Sequence, residues 1–191
     1  MDQVKAASTS VRLSAEVRKP AGRFDLVSIS LHWLTVLLIL CQFTTAWSIG
    51  YLSDNAATIL AAHRSLGVII GTVVIGRLMW RKTQATLPPF PPSMPPWQRR
   101  AATANEHALY ALLLLQPLTG LGNTIFTGHP FQLGPWQIPS LMAPDRPVFR
   151  TLRIAHELGA WVLLAFVGLH AAAGLFHALV RRDGVFQRMT P

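Results

Sequence analysis

The stretch Leu26–Ser48, Leu-Val-Ser-Ile-Ser-Leu-His-Trp-Leu-Thr-Val-Leu-Leu-Ile-Leu-Cys-Gln-Phe-Thr-Thr-Ala-Trp-Ser, decides the fold class. It holds no Lys, Arg, Asp or Glu and is long enough to cross a hydrocarbon core, which takes about 20 residues of helix. It exceeds the roughly 7–15 apolar residues of a secretory leader, and no convincing small-residue cleavage site follows it. Three more runs of spanning length, apolar with few charges, follow over about 59–80, 106–126 and 153–180. None alternates with period two, so all four are expected to be helices, one of the two structures that satisfy backbone hydrogen bonds in lipid. Pro117, followed by Gly120 and Gly122, is expected to kink the third.

Outside the runs the chain is polar and basic. Charged residues make up only 13% of it, well below the roughly one quarter of a globular domain. The net charge of +9 sits mainly beside apolar segments, where cations anchor and orient membrane helices. No nucleic-acid motif accompanies it, so nucleic acid is not expected as a partner; the lipid bilayer is. Lys5, Arg12, Arg18, Lys19 and Arg23 precede the first run, Arg81, Lys82, Arg99 and Arg100 follow the second, and Arg181, Arg182 and Arg188 follow the fourth. These segments share one side, and the loop from Gly50 to Thr58 on the other side has no cation. The chain is therefore expected to be an all-α, integral membrane four-helix bundle with both termini cytoplasmic. Residues 1–23 form a disordered basic tail in this reading, and 24–191 the bundle. The loop 127–152, with Trp136 and several prolines, is expected to cover the outer mouth. Cys41, the one cysteine, lies within the first run and reads as a packed apolar residue.

Four histidines lie inside the runs, where ionisable side chains are costly and commonly functional. At a rise of about 1.5 Å per residue, His32 lies about 9 Å from the inner edge and His63 about 6 Å from the outer edge. His156 lies about 5 Å from the outer edge, with His170 about 21 Å further inward. This gives two level pairs, His63 with His156 and His32 with His170. Fourteen residues bring a helix back to within roughly 40° of its starting direction, so His156 and His170 share a face. Facing histidine pairs across a bundle are how haem iron is held for electron transfer, so two b haems are expected, their irons roughly 20 Å apart. Hydrogen bonding or proton passage without metal is the plainer alternative, and zinc is disfavoured because no carboxylate or cysteine completes either pair. Gly67, Gly71, Gly159 and Gly174 follow these histidines and leave room for a flat cofactor, although small residues also serve helix packing. Arg77, fourteen residues after His63, suits a haem propionate or snorkels to the inner surface.

These residues also carry a resemblance. Ser-Leu-His-Trp at 30–33, Ala-His-Arg-Ser-Leu-Gly at 62–67, Leu-Tyr-Ala-Leu-Leu-Leu-Leu-Gln-Pro-Leu-Thr-Gly at 109–120, His-Glu at 156–157 and Gly-Leu-His-Ala-Ala-Ala at 168–173 together resemble the bacterial cytochrome b561 family. The likeness runs from about Phe24 to Pro191. It implies a di-haem oxidoreductase of the bacterial inner membrane whose ligand pattern falls on His32, His63, His156 and His170. It also implies oxidation of superoxide at the outer haem and reduction of ubiquinone near the inner one. His177 matches the position associated with the quinone end and is the expected proton donor, with Ser28 a second candidate quinone contact. Arg64, Arg146, Arg150 and Arg153 are candidates for steering an anion to the outer mouth, or else bind lipid phosphate. His107 lies near the inner end of the third run, facing a propionate or water. Two other readings stay open: a haem subunit taking electrons from a periplasmic dehydrogenase, and a haem-free transporter or anchor. The basic tail is longer than the family pattern.

Overall fold

The computed structural model describes residues 22–51 and 53–190; of the expected tail, residues 1–23, all but the last two lie outside them. Among the described residues four long helices make up the bundle: α1 (Leu26–Tyr51), α2 (Ala56–Thr83), α3 (Pro96–Ile125) and α4 (Arg146–Phe176). Each is long and apolar enough to cross a membrane. Most of the large apolar side chains face outwards, among them Leu37, Leu40, Ile75, Leu118, Trp161 and Leu169, as lipid requires. Consecutive helices pack side by side and α4 returns against α3.

The helix starts have local causes. Asp25 caps α1 by accepting from the backbone N–H of Ser28 (2.9 Å) and from its hydroxyl (2.7 Å). Asp145 caps α4 through the N–H of Val148 (3.0 Å), and Pro147 fits the first turn. Helix α3 starts at Pro96, ten residues before the expected Glu106, because a proline is tolerated where no N–H is needed. Helix α4 likewise starts at Arg146 rather than Arg153. Helix α3 continues through Pro117, whose ring rests against Gly71: a Cβ there would lie 3.5 Å from Pro117 Cγ.

The buried centre is aliphatic: Ile70, Val74, Leu113 and Leu163, flanked by Leu38, Ile39, Phe43 and Val167. Ile70 and Val74 lie between His63 and Arg77 on α2, and Leu163 and Val167 between His156 and His170 on α4, with α1 and α3 supplying the others. At the end opposite the termini the α3–α4 loop forms a hairpin, β1 (Phe131–Leu133) against β2 (Trp136–Ile138). The sequence reading placed no strand here. The signal was local: Phe-Gln-Leu and Trp-Gln-Ile flank Gly134-Pro135, and Gly134 takes φ 57°, a left-handed conformation that glycine adopts readily. The Gly134 N–H donates to Ser65 Oγ (2.7 Å) and Phe131 lies under the Arg64 guanidinium, so the hairpin is fastened to α2.

At the terminal end, Trp80 Nε1 donates to Asp25 (2.9 Å), joining α2 to α1. The last residues fold back beneath the bundle, where Trp33 Nε1 reaches Met189 O (2.7 Å) and Arg188 reaches Pro89 O (2.6 Å). Burial opposes the charge on Asp25, yet hydrogen bonds from Ser28 and Trp80 hold its carboxyl below the ordinary 3.8. A depressed carboxyl contributes stability above its ordinary value and loses it as pH falls through the folded value, here below 3.8. Asp25→Ala is expected to cost about 1 kcal/mol through the lost cap, lowering the thermal midpoint in detergent by about 2–4 °C. Below pH 3.8 the difference between Asp25→Ala and the native chain should shrink.

Candidate functional site

The structure brings the four membrane histidines together in two pairs. The ring centroids of His63 and His156 are 6.2 Å apart, and those of His32 and His170 are 6.0 Å apart. A His nitrogen binds a first-row metal at about 2 Å. Two imidazoles on opposite sides of one ion therefore have centroids roughly 6 Å apart. Each spacing fits one ion per pair, and among the described residues no cluster of three or more His, Cys, Asp or Glu offers another metal site.

Around the His63–His156 pair, neighbouring groups set the tautomers. Thr45 Oγ1 donates to Gln42 O (2.8 Å), so its oxygen accepts from His63 Nδ1 (3.1 Å). His156 Nδ1 faces the carbonyl of Gln116 (3.1 Å), which can only accept. Both rings thus carry the proton on Nδ1 and keep the Nε2 lone pair, the arrangement that supports metal-bound histidine. His63 Nε2 accepts from the Gln42 amide (3.1 Å), whose Oε1 is buried without a partner; a metal ligand at Nε2 would displace that amide. Helix α3 approaches His156 closely because Gly120 has no side chain: a Cβ there would lie 2.9 Å from His156 Cε1. A cavity of about 680 Å³ opens between the two rings, bordered by Gly67, Gly120, Phe43, Trp161 and Leu164. That volume falls in the usual range of cofactor sites, roughly 300–1,000 Å³.

The His32–His170 pair is arranged differently. Arg77 Nη2 lies 3.1 Å from His32 Nδ1 and must donate, which puts the neutral ring's proton on Nε2. Binding metal through Nε2 would require Arg77 to leave Nδ1. Arg77 is half-buried with its guanidinium over the Tyr110 ring, and an anionic propionate is the kind of group that would draw it away. His170 Nδ1 lies 3.5 Å from the Asn105 amide nitrogen, while the buried Asn105 Oδ1 has no partner. Half a turn of that amide would let Oδ1 accept from Nδ1 and free Nε2 for a metal. Neither pair's surrounding amides were singled out in the sequence; Gln42 is a polar residue inside an apolar run, which was an available signal, but Asn105 lies in the polar start of α3 and gave none.

A profile of the family described as Prokaryotic cytochrome b561 matches residues 23–191. The chain belongs to this family. Membership makes it a multi-pass membrane cytochrome, and haem binding and electron transport go with it. Among relatives, the chain is 25% identical over 173 residues to "Cytochrome b561 homolog 1" of Escherichia coli (strain K12), covering 89% of this chain and 98% of that protein. It is 26% identical over 172 residues to "Cytochrome b561 homolog 2" of the same organism, covering 87% and 90%. It is 24% identical over 170 residues to "Probable superoxide oxidase CybB" of Yersinia pestis, covering 88% and 96%.

The remaining candidates of this cytochrome b561 family member are scattered. The Ser28 hydroxyl donates to Asp25 as part of the α1 cap, which commits its proton. Arg153 pairs with Glu157 (2.8 Å), so much of its charge is balanced locally. Arg146 and Arg150 are exposed, and Arg64 reaches the cavity edge with a buried, unpartnered Nε. His107 and His129 are exposed. His177 is buried and far along the chain from Ser28, in contact with Asp183 and Gln98.

Proposed function

We propose that this chain moves electrons across the membrane between two b haems, oxidising superoxide at the end bearing the hairpin and reducing ubiquinone near the end bearing the termini. In this reading both termini face the cytoplasm. The observation that carries it is the two histidine pairs, each spaced for one metal and separated by an aliphatic core. His63 and His156 would hold one haem and His32 and His170 the other; the group supplies reversible one-electron chemistry at iron. The relative named as a probable superoxide oxidase supports the choice of donor.

The chain's own residues then bind, orient and exclude water. Arg64, and more weakly Arg146, Arg150 and Arg153, raise the concentration of an anion at the outer mouth. The hairpin is tied to α2 through Ser65 and through Arg64, which itself lines the cavity. Arg77 would balance a propionate of the inner haem. Two superoxide anions give two electrons and leave as two O₂; with two protons these convert one quinone to quinol. His177 supplies a proton at Nε2 to a quinone oxygen. The Ser28 hydroxyl can only accept a hydrogen bond while it donates to Asp25, so its contact would be with the quinol hydroxyl.

The test is stopped-flow spectroscopy of purified protein mixed with superoxide, with and without a ubiquinone analogue. Rapid reduction of b-type bands followed by quinone-dependent reoxidation is expected. Bands that ignore superoxide would remove the donor assignment, and bands that reduce but never reoxidise would remove the acceptor. His177→Gln is expected to slow reoxidation by about 100-fold, the lower range of general acid catalysis, without slowing reduction by superoxide.

A further inference from the structure

The end of α4 departs from a regular helix. From His177 to Arg181 it widens into a π turn, a rare form concentrated at functional sites. Arg182 then takes a left-handed conformation (φ 49°), and Gly184 (φ 78°) completes the reversal. The turn carries Asp183 back onto His177, with Oδ2 at 2.7 Å from Nδ1. His177 is only 6% exposed, so this is a buried contact. At the other side of the ring the Gln98 amide of α3 lies 3.2 Å from Nε2.

A fourth residue sets the direction of these bonds. Arg181 Nη1 lies 2.9 Å from Gln98 Oε1, and arginine has no acceptor, so that oxygen faces Arg181. The Gln98 NH₂ must then face His177, and Nε2 must accept. The ring proton is left on Nδ1 and is donated to Asp183. Burial opposes the charge on Asp183, but the hydrogen bonds from His177 and from the N–H of Val185 and the charge of Arg181 hold its carboxyl below the ordinary range, so it is an acceptor at neutral pH. The chain runs one way, from Arg181 to Gln98 to His177 to Asp183. Other cations nearby are turned elsewhere: Arg182 bonds Leu179 O, and Arg99 bonds the carbonyls of Pro91, Pro92 and Met94.

We propose that Asp183 and Gln98 are positioning residues for His177: Asp183 fixes the Nδ1–H tautomer, and Gln98, held by Arg181, occupies Nε2 until a proton arrives there. This rests on the reading of His177 as the quinone's proton donor and deepens it. A proton delivered to the quinone must sit on Nε2. When Nε2 takes one up from water at the terminal end, it faces the Gln98 NH₂ donor to donor, and Gln98 is expelled. Loading the proton and opening the quinone's place are then one event. The proton leaves Nε2 for a quinone oxygen, the Nδ1–H bond to Asp183 persists throughout, and the ring exchanges no electron.

The test is ¹⁵N-histidine NMR of the reduced, diamagnetic holoprotein, with His177 assigned by its loss in His177→Gln. Neutral His177 is expected as the Nδ1–H tautomer. Asp183→Asn should convert it to a tautomer mixture, and Asp183→Glu should restore it; b-type absorption per chain reports folding. In parallel, Asp183→Asn should lower kcat for quinone-dependent reoxidation about tenfold, part of the catalytic contribution of a positioned acid, with little change in KM for the ubiquinone analogue. An Nε2–H tautomer in the native chain, or an unchanged spectrum in Asp183→Asn, overturns the proposal. A changed tautomer with unchanged reoxidation supports the positioning role and overturns the reading of His177 as quinone donor.

Discussion

Replacing His156 with leucine is expected to remove about half of the b-type absorption per chain and to slow reduction by superoxide by more than about 100-fold. The site explains the size of the effect. The His156 ring is held by Gln116 O on one side and by the close passage of α3 at Gly120 on the other, and no His, Cys or Met besides His63 lines the cavity to take its place. Changes to the groups that merely orient a metal-bound histidine cost about 10–100-fold, and loss of the ligand itself should exceed that. Leucine fills similar volume beside Gly120, which makes general unfolding an unsuitable explanation of the loss. The remaining half of the absorption, carried by the other pair, reports that the bundle is intact. Full absorption in His156→Leu would sink the assignment of this pair.

The second expected result is the mirror image. His170→Leu should also leave about half of the absorption, but reduction by superoxide should survive while quinone-dependent reoxidation falls by about 100-fold or more. The two variants together separate the outer from the inner step, since each keeps the partial reaction that the other loses. If both variants lost the same partial reaction, the two pairs would not act in series. His32→Leu should follow His170→Leu, with a further effect on Arg77, which would lose the ring nitrogen it now contacts.

Much of this was legible in the sequence for simple geometric reasons. Rise and rotation per residue fix the depth and face of a side chain on a long helix, so the pairing of His63 with His156 and of His32 with His170 followed from counting. The apolar runs marked the spans but not the helix ends. Helix α3 begins with Pro96-Trp-Gln-Arg-Arg-Ala-Ala-Thr-Ala-Asn, which is polar, so a search for apolar length starts it ten residues late. Asp145 and Pro147 similarly mark the start of α4 by capping rather than by hydropathy. The tertiary hydrogen bonds were less accessible. Asp183 reaches His177 only because the backbone turns at Arg182 and Gly184, and no periodicity encodes that reversal. Gly120 read as a helix interruption, whereas its role is to let a ring from another helix approach.

The aliphatic layer of Ile70, Val74, Leu113 and Leu163 has a consequence for energy conversion. Electrons tunnel through hydrocarbon side chains, but protons need water or titratable groups to carry them, and these four offer neither. In the proposed function electrons enter at one face and protons join quinone at the other, so each turnover would displace net charge across the layer. Such displacement is worth about 2.3 kcal/mol per elementary charge for each 100 mV of membrane potential. The protein would thus act as a small electrical generator, and its turnover in sealed vesicles should slow as the voltage it builds rises and recover when an ionophore collapses it.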